Sequence, residues 1–294
     1  MSKGGVQKTS KVFLIVGMSM LLLYTVSLLI PTFWAIITSC KERLDFITNK
    51  FGLPKVWTFD NYINAFDLLQ VTVYDSLGRK DVYLSRMFFN SVIYALECGF
   101  AHTLAPCLVS YAVAKYKFKF SGFLYNFVIV AMLLPSVGTL ASEISIVKGL
   151  GIYDSFLGMF IMRFSFLGSN FLIFYAAFKS ISWEYAEAGL MDGASHFKIF
   201  TQIMLPLVKT TFGAIFLLSF ITYWNEYTTP MVFLPSNPTV AYGLYCFRFS
   251  PKSAITAVPM QMTACLLVSF PIFVVFVIFK NKIMGNLTMG GLKG

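Results

Sequence analysis

The sequence predicts an all-α integral membrane protein with six transmembrane helices, and three observations carry that prediction. The composition is apolar: of 294 residues, 57% are hydrophobic and only 12% are charged, with a mean hydropathy of +0.72. A soluble domain is about 45–50% apolar and about 25% charged. The apolar residues are gathered into runs long enough for a helix to cross roughly 30 Å of hydrocarbon, which takes about 20 residues. Finally, the basic residues favour alternate connecting segments instead of one patch. A membrane barrel is excluded, because its tilted strands need only about 10 residues and alternate apolar with polar.

Taken in order, the spans are expected at 12–39, 87–114, 123–142, 156–178, 210–234 and 257–279. The first follows a basic tail (Lys3, Lys8, Lys11) and ends at Ile37-Thr38-Ser39-Cys40, a faint likeness to a lipoprotein cleavage box. A run of 28 uncharged residues precedes Cys40, whereas a cleavable apolar region has about 7–15, so this run reads as an uncleaved anchor. Residues 1–40 thus form a tail and first span, residues 41–86 an extracytoplasmic loop, and residues 87–294 the transmembrane core. The loop carries the aromatic-rich run VWTFDNYINAF and is expected to fold as short helices over the membrane surface. Beyond the fifth span, Pro235 and Pro238 interrupt any helix in the outer connection.

The net charge of +10 is a matter of topology. With the N-terminus inside, the cytoplasmic segments hold twelve Lys and Arg against three acids, and the outer segments ten against eight. That asymmetry follows the positive-inside rule. It places both termini in the cytoplasm of a multi-pass plasma-membrane protein and removes the reason to expect a nucleic-acid partner. The five cysteines (40, 98, 107, 246, 265) form no Cys-x-x-Cys, and those within spans act as small apolar residues. A Cys40–Cys246 bridge on the outer side is the one pairing the topology allows. His102 and His196 have no carboxylate or thiol at ligand spacing, so no metal site is expected and both read as structural.

One polar stretch interrupts the core: EYAEAGLMDGASHFKIFTQIMLP, residues 184–206. It reads as two short helices joined at Asp192-Gly193, a turn signal, with Ser195 capping the second helix to about Met204 before Pro206. Small residues (Ala186, Ala188, Gly189, Gly193, Ala194) allow close approach of another backbone, while Glu184 and Glu187 keep the surface wet. An amphipathic helix on the lipid surface is one reading. The first half has no Lys or Arg to meet an anionic leaflet, which equally suits a docking surface for a cytoplasmic protein.

Glu187-Ala188-Gly189, three residues, Gly193, nine residues, then Ile203-x-Leu205-Pro206 resembles the EAA loop of binding-protein-dependent ABC importer permeases, E-A-A-x3-G-x9-I-x-L-P. Asp192-Gly193-Ala194-Ser195, Leu205-Pro206-Leu207, Phe89-Asn90-Ser91, Trp224-Asn225-Glu226 and the terminal Gly290-Gly291-Leu292-Lys293-Gly294 resemble the carbohydrate-uptake, maltose-type branch, in its shorter permease subunit. The resemblance runs from about Asn61 to the end. Gly189 stands where the third motif residue is usually Ala, which costs up to about 1 kcal/mol in a helix, and Ser182 where the family often has Pro.

The resemblance implies a coupling helix between spans four and five. Glu187, Ala188, Gly189, Asp192 and Gly193 would seat in a cleft of a cytoplasmic ATPase, and Ile203, Leu205 and Pro206 would fix the second helix to the membrane core. The tail 290–294 would also reach toward the ATPases. It further implies a second permease subunit as heterodimer partner, two ATP-binding subunits, an extracytoplasmic solute-binding protein and a sugar cargo. No G-x-x-x-x-G-K-[ST] phosphate loop occurs in this chain, so ATP and Mg would be used by the partner ATPase, with no cofactor and no enzymatic role here.

Ionisable residues within spans mark function or a structural pair, which singles out Glu97, Arg163 and Glu226. Pairing of Arg163 with one acid is the structural reading. Tyr223, Trp224, Asn225, Glu226 and Tyr227 offer rings and hydrogen-bonding groups suited to a sugar's C–H faces and hydroxyl rim, or alternatively an interfacial aromatic belt. Asn90, Ser91, Tyr94, Asn170 and Gln261 are candidates to line the same path. An ion-coupled secondary transporter or channel, with Glu97, Arg163 and Glu226 as a relay, is the alternative; it leaves the 184–206 pattern unexplained.

Overall fold

A computed structural model of the chain describes residues 3–75, 78–116, 118–134 and 138–287. The expected role of the 290–294 tail lies outside the described residues. The chain divides into two compact units, one from Met1–Leu69 and Cys246–Ser269, the other from Gln70–Tyr245 and Phe270–Gly294.

In the first unit, α1 (Lys3–Ser39) leads to two short helices, α2 (Arg43–Thr48) and α3 (Asp60–Leu68). The short helices expected beyond the first span are present. Hydrogen bonds fasten them to the end of α1: the Asn61 amide donates to the carbonyls of Ser39 and Lys41 at 2.8 Å each, and Ser39 Oγ meets Tyr62 Oη at 2.7 Å. Lys41 is fully buried and its Nζ donates to the Asn49 carbonyl at 2.7 Å, as a buried ammonium must find an acceptor. Most of α1 between Phe13 and Ile30 is exposed, the state of a helix whose solvent is hydrocarbon. Cys40 and Cys246 are both free thiols, so the bridge that the topology allows is not formed.

The second unit opens on a hairpin that hydropathy and motif spacing do not predict. β1 (Gln70–Asp75) pairs antiparallel with β2 (Gly78–Tyr83), Val71 opposite Val82 and Val73 opposite Lys80. Val71, Val73 and Val82 are buried, the period-2 alternation of a half-buried strand, hidden among Thr, Tyr and charged neighbours. Then α4 (Leu84–Lys115) forms the axis, packed against α12, α8 and α7. Its buried face is built from small residues, Ala95, Gly99, Ala101 and Ala105, which let helices approach closely in a membrane, where packing replaces the hydrophobic effect. Pro106 inside α4 cannot donate to the His102 carbonyl; the Asn170 amide donates to it instead, at 3.5 Å.

The remaining helices are α5 (Ser121–Leu133), α6 (Leu140–Gly149), α7 (Phe156–Arg163), α8 (Ser169–Ser180), α9 (Glu184–Met191), α10 (His196–Ile199), a π-helical turn at Phe200–Met204, α11 (Leu205–Leu207), α12 (Lys209–Asn225), α13 (Thr228–Phe233), α14 (Val240–Phe247), α15 (Ser253–Thr256) and α16 (Val258–Leu287). Among the described residues, three helical stretches are long and apolar enough to cross a membrane: Phe13–Ser39, Leu84–Lys115 and Val258–Phe279. A fourth results if His196–Leu207 and Lys209–Asn225, bent by 77°, are one broken span. The other expected spans are not continuous. The run 123–142 is divided between α5 and α6, 156–178 breaks after Arg163, and 210–234 breaks at Glu226, whose backbone is extended. Both of the latter breaks fall where an ionisable residue meets partners from another element.

Candidate functional site

The segment 184–206 is held in shape by its own backbone. α9 ends in a paired closure in which the Gly193 N–H donates to the Leu190 carbonyl at 3.0 Å and the Ala194 N–H to the Gly189 carbonyl at 2.9 Å. This is the Schellman arrangement, which needs a left-handed residue after the cap. Gly193 supplies it, with φ +75°. Ser195 then caps α10, its Oγ accepting from the Lys198 N–H at 3.3 Å, so the predicted turn and cap are both present. The second helix switches to π-helical pairing at Phe200–Met204 and bends sharply at Val208, close to Pro206, which lacks the N–H that would continue an α-helical ladder.

Gly189 has a specific packing role. A Cβ there would lie 2.8 Å from Ile203 Cδ1 and 3.3 Å from Ile199 Cγ1. The two halves of the segment therefore touch through Gly189, and what the helix loses in propensity it regains in close contact. Behind it, Ala186, Ile199, Phe200, Met204 and Val208 enter a core with Cys107 and Tyr111 of α4, Phe174 and Phe178 of α8 and Ile215 of α12. Ile203 and Leu205 pack against that core from its edge, and Pro206 is exposed.

The opposite face is open. Glu184, Glu187, Ala188, Asp192 and Gly193 are exposed, and so are four large hydrophobic side chains that the motif does not name: Tyr185, Leu190, Met191 at 88% and Phe197 at 76%. An apolar patch bordered by three carboxylates is the composition of a contact surface whose centre excludes water and whose rim stays wet. The i, i+3 spacing of Tyr185 and Ala188, with Met191 one turn further, was the signal for this face.

A second cluster lies where the two interrupted spans meet α4. Arg163, the last residue of α7, pairs with Glu226 at 3.2 Å and donates to Thr229 Oγ1 at 2.8 Å. Thr229 in turn donates to Glu226 Oε1, and Tyr94 Oη to Glu226 Oε2 at 2.9 Å. The Arg163 guanidinium sits over the Tyr223 ring, 5.4 Å from its centroid, while Tyr223 Oη meets His102 Nδ1 at 3.0 Å. Tyr94 and Tyr223 pack edge to face. Side chains of Arg163 and Glu226 keep 29% and 25% of their surface, so the pair is reachable and not sealed. Among the described residues, Arg163 Nε and Glu97 Oε1 are buried with no hydrogen-bond partner.

The structure thus brings Tyr94, Tyr223 and Glu226 together and adds Arg163, Thr229 and His102. Thr229 stands three residues after Glu226, across the break, a spacing visible in the sequence. Other candidates are engaged elsewhere. Asn90 donates to the Pro238 carbonyl at 3.0 Å and Ser91 Oγ accepts from the Val240 N–H at 2.7 Å, pinning the start of α14. Trp224 is buried against Phe88 and Phe220. Asn225 is exposed and donates to its own helix at Ile221. Gln261 belongs to the first unit, half-buried on α16.

Comparison with known proteins gives the chain's family and fold. Residues 107–287 match the family described as binding-protein-dependent transport system inner membrane component. The diacetylchitobiose uptake system permease protein NgcG of Streptomyces coelicolor is 22% identical over 95% of this chain and 88% of its own length. The arabinooligosaccharides transport system permease protein AraQ of Bacillus subtilis is 26% identical over 90% of this chain and 91% of its own. The fold is shared with a chain of a bacterial ABC transporter involved in the import of the acidic polysaccharide alginate, at a TM-score of 0.76 and 19% identity, covering 96% of this chain and 98% of that one. The match spans more than half of the chain and includes the 184–206 segment with Arg163, Tyr223, Glu226 and Thr229, so this multi-pass membrane protein belongs to the binding-protein-dependent transport system inner membrane component family.

Proposed function

We propose that this chain is one permease subunit of an ATP-driven importer, forming half of a transmembrane path for a sugar or oligosaccharide. Its cytoplasmic partners are two ATP-binding subunits, its membrane partner a second permease, and its cargo arrives from an extracytoplasmic solute-binding protein. Both termini lie in the cytoplasm. The observation that carries the reading is the 184–206 segment: two short helices closed by Gly193, anchored on one side in the α4–α8–α12 core and open on the other through Tyr185, Ala188, Met191 and Phe197. Such a segment is rigid enough to transmit a push and exposed enough to receive one. As a membrane component of a transport system the chain is not an enzyme; ATP and Mg belong to the partner.

A carbohydrate cargo is supported by the relatives, whose names specify saccharides, and by the second cluster. Interrupted helices at the level of a polar cluster are how many transporters build a binding site within a membrane. Here two interruptions converge on Arg163, Glu226, Thr229 and Tyr94, with Tyr223 offering a ring face. Donors, acceptors and aromatic faces together suit a polyol.

Glu187→Lys reverses charge on the open face, and Gly193→Val forces a branched side chain into a left-handed backbone, a cost of about 1–2 kcal/mol to the local turn. Each is expected to reduce recovery of the ATPase with the tagged permease and to lower sugar uptake in parallel, by about tenfold for Gly193→Val. Unchanged assembly and uptake in both variants would sink the assignment.

A further inference from the structure

Where α4 ends, one side chain touches both halves of the exposed segment. Tyr116, the C-cap of α4, packs edge to face on Trp183, the residue that starts α9, with centroids 5.6 Å apart. It packs in the same way on His196, the first residue of α10. Its hydroxyl meets His196 Nδ1 at 3.0 Å and Tyr111 Oη at 3.3 Å. Tyr111 is buried, its ring 4.9 Å from Phe200 and 5.3 Å from Phe178. Beside it, Lys115 Nζ donates to the Ile181 carbonyl at 2.5 Å, joining α4 to the connection that precedes α9. No other helix has its end held at both starts of the segment by polar and ring contacts among the described residues.

The same helix reaches the second cluster. Tyr94 on α4 bonds Glu226, about 30 Å along the helix axis from Lys115 at 1.5 Å per residue. A movement of the segment therefore has two routes into the membrane: through the chain itself, by way of the bend at Val208 into α12, and sideways through Tyr116 into α4. The first route is bent by 77° and passes through π-helical turns. The second is one helix, its hydrogen-bond ladder interrupted at Pro106 and tied there to α8 through Asn170, that ends on the carboxylate of the polar cluster.

We infer that Tyr116 and His196 are positioning residues of the transport cycle: their hydroxyl–imidazole bond clamps the two-helix segment to α4, so that motion of the segment reaches the Tyr94–Glu226 contact. The inference rests on the importer reading above and adds to it a specific mechanical link. Tyr116 is half-buried, and His196, itself exposed, packs its ring against Tyr116.

The test uses the assembled transporter in liposomes, and reads ATP hydrolysis with and without its solute-binding protein on the outer face, a stimulation that must cross the bilayer. Tyr116→Phe keeps the ring and removes the hydroxyl; His196→Gln keeps a hydrogen-bonding partner for it, and His196→Ala removes the partner. The expected result is that Tyr116→Phe and His196→Ala co-purify normally with the ATPase and hydrolyse ATP at the unstimulated rate, while stimulation falls about fivefold, the scale of one lost hydrogen bond. His196→Gln is expected to retain most of it. Stimulation unchanged in Tyr116→Phe and His196→Ala would overturn the inference, as would loss of stimulation accompanied by loss of the ATPase, or equal losses in His196→Gln and His196→Ala. Absence of stimulation in the unaltered transporter would instead remove the importer reading on which the inference rests.

Discussion

Arg163→Leu is expected to cost the folded protein about 2–3 kcal/mol, because it leaves the Glu226 carboxylate with hydroxyl partners and no countercharge. Breaking one side of a buried pair costs about 3–5 kcal/mol when sealed from water, and the partial exposure of both side chains places this pair below that range. The guanidinium also gives up its bond to Thr229 and its position over Tyr223, so the break between α7 and α8 loses its tie to the break between α12 and α13. Thermal unfolding in detergent is expected to shift downward for Arg163→Leu and to return most of the way in the double variant Arg163→Leu with Glu226→Leu, since two apolar residues replace a pair at little net cost. Uptake stays low in both if the cluster contacts cargo. A single variant as stable as the unaltered protein would show that the pair contributes nothing to the joint between the broken helices.

The second large effect belongs to the open face of the 184–206 segment. Met191 and Phe197 are the most exposed of its large side chains, at 88% and 76%, so replacing both with Asp leaves the core untouched and should move stability by no more than about 0.5 kcal/mol. At a contact surface the same change places two carboxylates where an apolar centre is required, which typically costs about 2 kcal/mol or more per central residue. Recovery of the ATPase with the tagged permease is expected to fall by about thirtyfold or more, with an unchanged unfolding midpoint. Recovery at the normal level would mean that the ATPase seats elsewhere.

The turn, the cap and the rim of this segment were legible in the sequence because they rest on local chemistry. Asp192-Gly193 is a turn signal because Gly accepts the left-handed backbone without cost, and Ser195 caps because its hydroxyl reaches a free N–H two or three residues on. The meaning of Gly189 was not legible. Read along the chain it is a weak helix former; only the contact with Ile199 and Ile203, on the other half of the segment, gives it a reason. Phe197 was hidden for a similar cause, since a Phe in an apolar-rich chain carries no mark of pointing outward.

Hydropathy located the long apolar helices but overstated the continuity of the other stretches. Windows of about 20 residues average over Arg163 and Glu226 as single polar interruptions, whereas the backbone breaks at both to let the side chains meet. The pairing of Arg163 with Glu226 and not Glu97 depended on which face of α4 turns toward α7 and α12, a tertiary fact. The hairpin of β1 and β2 was missed because two valines at alternate positions of β1 and one in β2 are a short signal in a loop rich in charge. Asn90 and Ser91, expected to line the path, hold the backbone at Pro238 and Val240.

The central claim is that this chain moves its cargo through force delivered to residues 184–206 by an ATPase. The most direct measurement is uptake of labelled arabino- and chito-oligosaccharides into proteoliposomes, with the permease pair alone or with the ATPase subunits and the solute-binding protein. Uptake is expected only with the full assembly and ATP inside, and is expected to be lost when Gly193→Val is introduced. Uptake by the permease pair alone, driven by a proton or sodium gradient without ATP, would contradict the account and would return Glu97, Arg163 and Glu226 to the role of an ion relay.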